Sequence, residues 1–462
     1  MNTLKKPIDI HTKRKNRFVH DLKIQTVKAL DTVGVTIPFG LCWYLYYGNV
    51  IQSHFQWKGN YTILGLFIFI YFFMVRTYDG MQLSLHRISE MIYSQILAVL
   101  VTDGAMYIVI CILAEKVTNL WPGIACIGGQ IVMITVWSLL AHQWYFREFK
   151  AQISAVIYET REGMENLIDE YGLSKKFEVK ATYSVVECLD NLSLLDQYHT
   201  IFLSGVHSHD RNIILKYCVE RDINLYIIPR VGDVIMSGAK RMHLFHLPML
   251  RAGRYNPSVI YLFFKRLCDI LISGIALVIT SPIFLITAIA IKSDGGPVFY
   301  KQERLTQNGK IFKVIKFRSM RVDAEKDGVA RLSTGDNDDR ITKVGRVIRK
   351  VRIDELPQIL NIIRGEMTLV GPRPERPAIA ADYEKEFPEF HLRLQAKAGL
   401  TGYAQVYGKY NTTPYDKLVM DLMYIANPSI IEDLRIMMAT IKILFLPEST
   451  EGVNENQTTA MR

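Results

Sequence analysis

Four apolar stretches in the first third of the chain, at 29–51, 61–76, 91–114 and 121–142, constrain its folding most. Each approaches the ~20 residues that an α-helix needs to cross the hydrocarbon of a bilayer, where every backbone group must be satisfied within the segment. Aromatic residues crowd their ends: Trp43, Tyr44, Tyr46 and Tyr47, then Trp121, Trp144 and Tyr145. Such residues favour the membrane–water interface. The chain as a whole agrees, being 49% hydrophobic and only 22% charged over 462 residues. Positive charge lies in the tail before the first stretch, at Arg76 and Arg87 between the second and third, and at Arg147 and Lys150 after the fourth. The other two connections hold little more than Lys58 and Lys116. The positive-inside rule therefore puts both ends of a four-helix transmembrane domain, residues 1–148, in the cytoplasm. No cleavable signal peptide is expected, because the first apolar run starts late and ends without a small-residue cleavage site.

From about residue 151 the texture changes to short alternating runs, "ISAVIY", "REGMENLIDEYGL", "FEVKATYS", "VVECLDN", "HTIFLSG", "RNIILKYCVERD" and "NLYIIPRV". Strand–helix alternation predicts a small doubly wound parallel sheet over 149–250. Its first strand is followed by "YETREG", with no G-x-G-x-x-G, so it reads as a Rossmann-like module without the dinucleotide fingerprint. A structural or regulatory role fits it better than NAD binding. The six cysteines have no C-x-x-C spacing and read as buried thiols, neither a zinc site nor a disulfide framework.

A fifth apolar run, 267–291, is interrupted by Ser281-Pro282 and bounded by Lys265-Arg266 and Lys292. Proline removes a helical hydrogen bond. Cations at both ends want the same face, so a broken helix that enters and returns on one side stands level with a kinked spanning helix. The chain beyond is soluble in character, with an amphipathic helix expected near 430–447 and a disordered tail at 448–462.

The chain's net charge is +10, and its basic residues recur through 292–376, as in Lys301, Arg304, Lys316, Arg318 and Arg349. In "IKFRSM" an extended strand puts Lys316 and Arg318 on one face, which suits a diphosphate, although a solvated strand carries the same pattern. In "LVGPRPERP", Pro372 and Pro374 stiffen the backbone around Arg373, as anion recognition requires and as a plain turn also does. "KVRIDELPQILN" sets Asp354 and Glu355 side by side at the start of a helix, since Pro357 is tolerated only in a first turn. They can be a cap and a first-turn acid favoured by the helix dipole. Amid so many cations they can also be a phosphoryl acceptor and a holder of Mg²⁺.

The motifs "KRLCD", "SPIFL", "GGPVFYKQERLTQNGKIFKVIKFRSM", "DELPQILNIIRGEMTLVGPRP" and "KAGLTGYAQV" make 265–447 resemble the bacterial sugar transferase family, the polyprenyl-phosphate hexose-1-phosphate transferases. The helices and sheet ahead of it resemble the large subclass by architecture. Two departures, Ala398 where the family usually has Pro and Thr368 where Ser is common, leave the chemistry untouched. The resemblance implies a catalytic domain over 251–447, mixed α/β and cytoplasmic, with a re-entrant membrane helix broken at Ser281-Pro282. It implies transfer of hexose-1-phosphate from a UDP-hexose to undecaprenyl phosphate at the bacterial inner membrane, with release of UMP, as the first membrane step of capsule or exopolysaccharide synthesis. By position, Asp354 matches the nucleophile and Glu355 its partner at Mg²⁺. Lys316, Arg318, Arg349 and Arg373 match basic positions around the phosphates, and Pro372 and Pro374 the loop near the uridine. Lys301, Arg304 and Asp433 are further candidates. The lipid bilayer is a partner, nucleic acid is not, and a homodimer is compatible. Direct displacement with Asp354 as general base, and an inert membrane scaffold, stay open as alternatives.

Overall fold

The protein is described by a computed structural model covering residues 10–51, 57–293, 295–322, 340–408 and 412–444. The tail expected at 448–462 lies outside the described residues. The chain separates into two compact units, 1–228 and 229–462.

The first unit opens with helix α1, Ile10–Cys42, continued by a π-helical turn, Trp43–Tyr47, and a short α2, Gly48–Val50. Helices α3 (Trp57–Thr77), α4 (Ile88–Leu113) and α5 (Trp121–Glu148) follow. Among the described residues four helices are long and apolar enough to cross a membrane: α3, α4 and α5, and a later one at Val259–Lys292. The first predicted span, 29–51, is not among them. Its apolar run is divided among α1, the π-turn and α2, and α1 also carries Lys28 and Asp31, so no one segment combines length with apolarity. It nevertheless packs with the others: Phe39 stacks on Phe67 at 4.2 Å, and the Trp137 indole donates to the Val27 carbonyl at 3.1 Å. Buried Asp31 accepts a hydrogen bond from Tyr71 at 2.8 Å, which gives this acid a packing role.

The polypeptide next forms strands β1 (Gln152–Tyr158), β2 (Phe177–Ser184), β3 (Thr200–Ser204) and β4 (Asn224–Ile227), with α6 (Met164–Glu170), α7 (Val185–Asp190) and α8 (Ser208–Glu220) between them. The order is β2-β1-β3-β4, all parallel. Alternation buries both faces: Ala155, Ile157, Ile201 and Leu203 meet Cys188, Ile214 and Cys218 on one side, and Val156 and Phe202 meet Ile168 on the other. Of the six thiols, Cys126, Cys188 and Cys218 are buried as their setting in apolar runs predicts, and Cys42, Cys111 and Cys268 are only partly buried.

The second unit begins with α9, Val231–Ser237. The sequence reading grouped this segment with the sheet, but Val231 and Val234 enter the second unit's core beside Leu418, Leu422 and Ile425. An antiparallel hairpin, β5 (Lys240–Leu244) and β6 (Leu247–Arg251), leads to α10, Val259–Lys292. The break predicted at Ser281-Pro282 is absent as an interruption, because α10 stays helical across it. The Thr280 and Ser281 hydroxyls donate to the Ala276 and Val278 carbonyls at 2.7 Å, supplying local polar contacts beside the proline.

Strands β7 (Phe299–Leu305) and β8 (Ile311–Phe317) pair antiparallel. They are followed by α11 (Lys343–Lys350), a 3-10 turn (Ile353–Glu355), α12 (Gln358–Arg364), β9 (Thr368–Val370) and α13 (Pro377–Glu386). A 3-10 segment, Pro388–Gln395, then precedes β10 (Gly399–Thr401), α14 (Tyr403–Tyr407), α15 (Pro414–Ala426) and α16 (Ile430–Leu444). Strands β9 and β10 run parallel, and the backbone comes so close at the start of β10 that a Cβ on Gly399 would lie 2.1 Å from the Gly371 nitrogen. This close approach fixes where the proline loop after β9 departs.

Candidate active site

Asp354 and Glu355 sit on the 3-10 turn, one turn ahead of α12, rather than on the helix itself. Pro357 is the N-cap of α12, and Gly365, in the left-handed region at φ 84°, ends it. Arg352, just before the turn, holds φ 55°, a conformation that a non-glycine residue keeps only when its surroundings impose it. Ile353 and Leu356 supply the surroundings, packing with Ile348 and Phe317 on Ile291 near the end of α10.

Lys316, at the end of β8, donates to Glu355 Oε1 at 2.5 Å, and Arg373 stands 3.9 Å from the same oxygen. Asn361 sets that distance. Its side chain accepts from the Ile315 amide at 3.0 Å and donates to the Lys313 carbonyl at 2.9 Å, so α12 is bolted to β8. Sequence reading passed over Asn361, although a polar residue on the apolar face of "LPQILNII" was its visible signal.

The two carboxyls are driven apart. Burial pushes Asp354 up to about 6, aided by the charge of Glu355 and opposed by Lys316 and Arg349. Burial also acts on Glu355, but Lys316, Arg373 and Arg352 outweigh it and hold the group at about 2. Arg349 brings one more cation, and its Nη1 is buried without a hydrogen-bond partner. A buried, unmatched guanidinium nitrogen is costly and suits an anionic ligand.

The remaining candidates divide. Arg304 shares a face with Lys316 across β7 and β8, since Tyr300 lies opposite Lys316. Burial, with Arg376 and Arg373 nearby and Glu375 opposing, lowers it to about 10. Lys301 lies opposite Ile315, on the other face, and is not brought to the dyad. Arg318 falls beyond the end of β8, so the face expected for it does not hold. Its guanidinium is buried and donates to the carbonyls of Pro297 at 2.9 Å, Ile291 at 3.2 Å and Gly295 at 2.7 Å. It clamps the end of α10 rather than presenting a charge to phosphate. Asp433 is likewise an anchor: it accepts from Lys265 at 2.9 Å, Tyr261 at 3.0 Å and Tyr424 at 2.8 Å, tying the start of α10 to α15 and α16.

Pro372 and Pro374 flank Arg373 in an extended loop. Residues that sequence reading missed hold this loop. Arg393, 3% exposed, pairs with Asp421, 1% exposed, at 2.6 Å and donates to the Arg373 carbonyl at 2.9 Å. Glu375 lies 3.7 Å from the same guanidinium. The signal was Asp421 on the apolar face of α15, between Val419 and Leu422, where an acid needs a partner. Thr368, the departure noted above, donates to Asp269 at 2.7 Å, a bond any hydroxyl there can make.

Among the described residues no three His, Cys, Asp or Glu side chains gather as a metal cluster. Glu355 offers a carboxylate beside Asp354, and Mg²⁺ is commonly held by one or two carboxylates while waters and substrate phosphates complete its shell.

The family model for bacterial sugar transferase matches residues 260–447. A UDP-N-acetylgalactosamine-undecaprenyl-phosphate N-acetylgalactosaminephosphotransferase of Aeromonas hydrophila is 37% identical over 234 residues, covering 50% of this chain and 54% of that protein. The galactosyl transferase CpsE of Streptococcus agalactiae is 42% identical over 40% of this chain and 43% of its own. A UDP-glucose:undecaprenyl-phosphate glucose-1-phosphate transferase of Caulobacter vibrioides is 37% identical over 43% of this chain and 76% of its own. The chain thus spans about half the length of the first two relatives, and the residues matched by the family model include the dyad, β8 and the proline loop. With three quarters of the Caulobacter protein matched at that identity, the chain belongs to the bacterial sugar transferase family.

Proposed function

We propose that this protein transfers hexose-1-phosphate from a UDP-hexose to undecaprenyl phosphate, beginning a capsule or exopolysaccharide repeat. The observation that carries the reading is the divided dyad: Asp354 pushed up to about 6 beside Glu355 held at about 2 by Lys316 and Arg373. Neighbouring carboxyls with separated pKa values take different roles. Asp354, ionised, attacks the β-phosphorus. The bond to the bridging oxygen breaks, UMP leaves, and sugar-phosphate stays on the carboxylate. An oxygen of undecaprenyl phosphate then attacks the same phosphorus and frees Asp354. Lys316, Arg349 and Arg373 meet the charge on the phosphates, and Arg304 supports the loop side. Glu355, beside Asp354, would hold Mg²⁺, which when bound neutralises the diphosphate. One observation favours the second reading, direct displacement: a carboxyl near 6 is also a competent general base.

The site belongs at a cytoplasmic membrane surface in this reading. Tyr261, Lys265, Arg266 and Asp269 near the start of α10, and Phe284 and Ile291 near its end, all engage the same catalytic unit. Between them Ile275, Val278 and Ile279 are at least 60% exposed and apolar. A helix anchored at both ends by one soluble unit supports a re-entrant arrangement, with the dyad beside the returning end. The parallel sheet of the first unit is read as Rossmann-like, with a structural or regulatory role, and the apolar helices before it as inner-membrane spans. A homodimer is compatible with this scheme.

The test is to give membranes UDP-hexose without lipid acceptor. A sugar-phosphate label on Asp354, matched by UMP release and absent from Asp354→Asn, is expected. UMP release by Asp354→Asn at near wild-type rate, or intersecting kinetics that reveal a ternary complex, would transfer support to direct displacement.

A further inference from the structure

In the first unit a cavity of about 250 Å³ opens where α5 gives way to β1. Its lining includes His20, Tyr145, Phe149, Lys150, Lys175 and Lys176. Among the described residues no carboxylate pairs with Lys150, Lys175 or Lys176. Lys176 is partly buried, donates to Ser84 Oγ at 2.9 Å and lies 5.0 Å from the Phe177 ring. Burial lowers its pKa, the mark of an ammonium without a counter-ion. The one acid of the lining, Glu148, is already paired with Lys23 at 2.5 Å. The cavity therefore presents three uncompensated ammonium groups.

Its position says what would compensate them. The cavity lies at the end of α5, a helix long and apolar enough to cross a membrane. Ser84, from the connection between α3 and α4, reaches the same place. Trp144, Tyr145, Phe146 and Phe149 form the aromatic side of this end, with His20 against Phe149 at 4.2 Å. Exposed Val136, Leu139 and Leu140 line α5 just before it. Apolar helix surface, then aromatic rings, then lysines is the profile of a bilayer boundary, where acidic lipids draw cations. The volume falls below the ~300–1,000 Å³ of sites that engulf a whole small molecule, and suits a phosphate ester head group whose chains stay outside.

We propose that this cavity seats the head group of an acidic glycerophospholipid, its phosphodiester on Lys150, Lys175 and Lys176 and its acyl chains along α5. The site is separate from the transfer chemistry, and its test does not use activity. The full chain in mixed phosphatidylglycerol and phosphatidylcholine is transferred to detergent, and retained lipid is read by native mass spectrometry. The wild type is expected to keep phosphatidylglycerol in preference. Lys150→Gln/Lys175→Gln, which leaves the Lys176–Ser84 bond in place, is expected to lose about tenfold in retention, and adding Lys176→Gln to lose more. Restoring Lys176 as Arg should recover part of it. Lys116→Gln/Lys216→Gln, an equal charge change elsewhere in the unit, should retain lipid as the wild type does. Equal retention of the two lipids, no loss in the cavity variants when melting temperature is unchanged, or equal protection by inorganic phosphate or glycerol phosphate would each overturn the lipid assignment. So would displacement of phosphatidylglycerol by a smaller amount of polyprenyl phosphate.

Discussion

In the proposed chemistry Asp354 reacts in its ionised form, and burial works against that form. Burial favours the neutral acid, so the ionised fraction grows as pH rises through about 6. Turnover is expected to climb across that pH and level off near 7, while Glu355, at about 2, adds no limb between pH 4 and 8. A flat profile from pH 5 to 7.5 would contradict the assignment. Stability runs the other way. Between the ordinary 3.8 and about 6 the folded chain binds more protons at Asp354 than the unfolded chain does, so its contribution is lost as pH rises through that window. Asp354→Asn should therefore abolish turnover yet stabilise the unit at pH 7 by roughly 1–3 kcal/mol, with little gain at pH 4, as melting at the two pH values would show. Lys316→Ala and Arg373→Ala should each cost turnover about 1–3 kcal/mol, because both remove charge-assisted contacts. Arg318→Ala should differ from them in kind. It removes three bonds to carbonyls at the end of α10 and is expected to lower the melting temperature before it touches the kinetics of the surviving protein. If Arg318→Ala changes KM for UDP-hexose at unchanged melting temperature, the clamp role is wrong.

At the scale of elements, the proposed arrangement makes α10 the helix through which the site meets the membrane. Lys265 and Arg266 fasten its start to Asp433, Val370 and the Ile362 and Ile363 carbonyls, and Arg318 fastens its end. Single cysteines placed near Lys265 and near Lys301 are expected to react from the same side of the membrane. Reaction from opposite faces would make α10 a spanning helix. Pro282 stands in the exposed middle of this helix, where its missing N–H lets the axis bend. Pro282→Ala should favour a straighter helix and depress activity more than it depresses the melting of the catalytic unit.

At the scale of the whole molecule, the two compact units meet in sequence at Ile228 and Pro229. The first holds no glycine loop for a dinucleotide in "YETREG", so it is expected to be dispensable for the chemistry. A chain beginning at Pro229 should keep some transferase activity in membranes. One beginning at Tyr255 discards Val231 and Val234 from the core around Leu418 and Ile425, and should be less stable by about 2–5 kcal/mol. Equal stability of the two chains would show that α9 is an ornament of the catalytic core, and inactivity of a folded Pro229 chain would show that the first unit takes part.

What the sequence determined by itself was local or periodic. Apolar length marked α3, α4, α5 and α10, strand–helix alternation marked β1 to β4 with their helices, and the motifs around Asp354, Lys316 and Arg373 marked the family. These signals are written in neighbouring residues. What only the tertiary structure decided depended on which distant groups meet. Strand alternation gave Lys316 and Arg318 the same face, but β8 ends at Phe317, and the carbonyls that capture Arg318 come from 291, 295 and 297. Asp433 looked like a candidate for the chemistry until Lys265, Tyr261 and Tyr424 were seen to claim it. Arg393 and Asp421, 28 residues apart, hold the loop of Arg373 from inside the core, where no spacing rule could pair them. An ionisable side chain is assigned to catalysis or to architecture by the partners that desolvate and satisfy it, and those partners are brought by the fold.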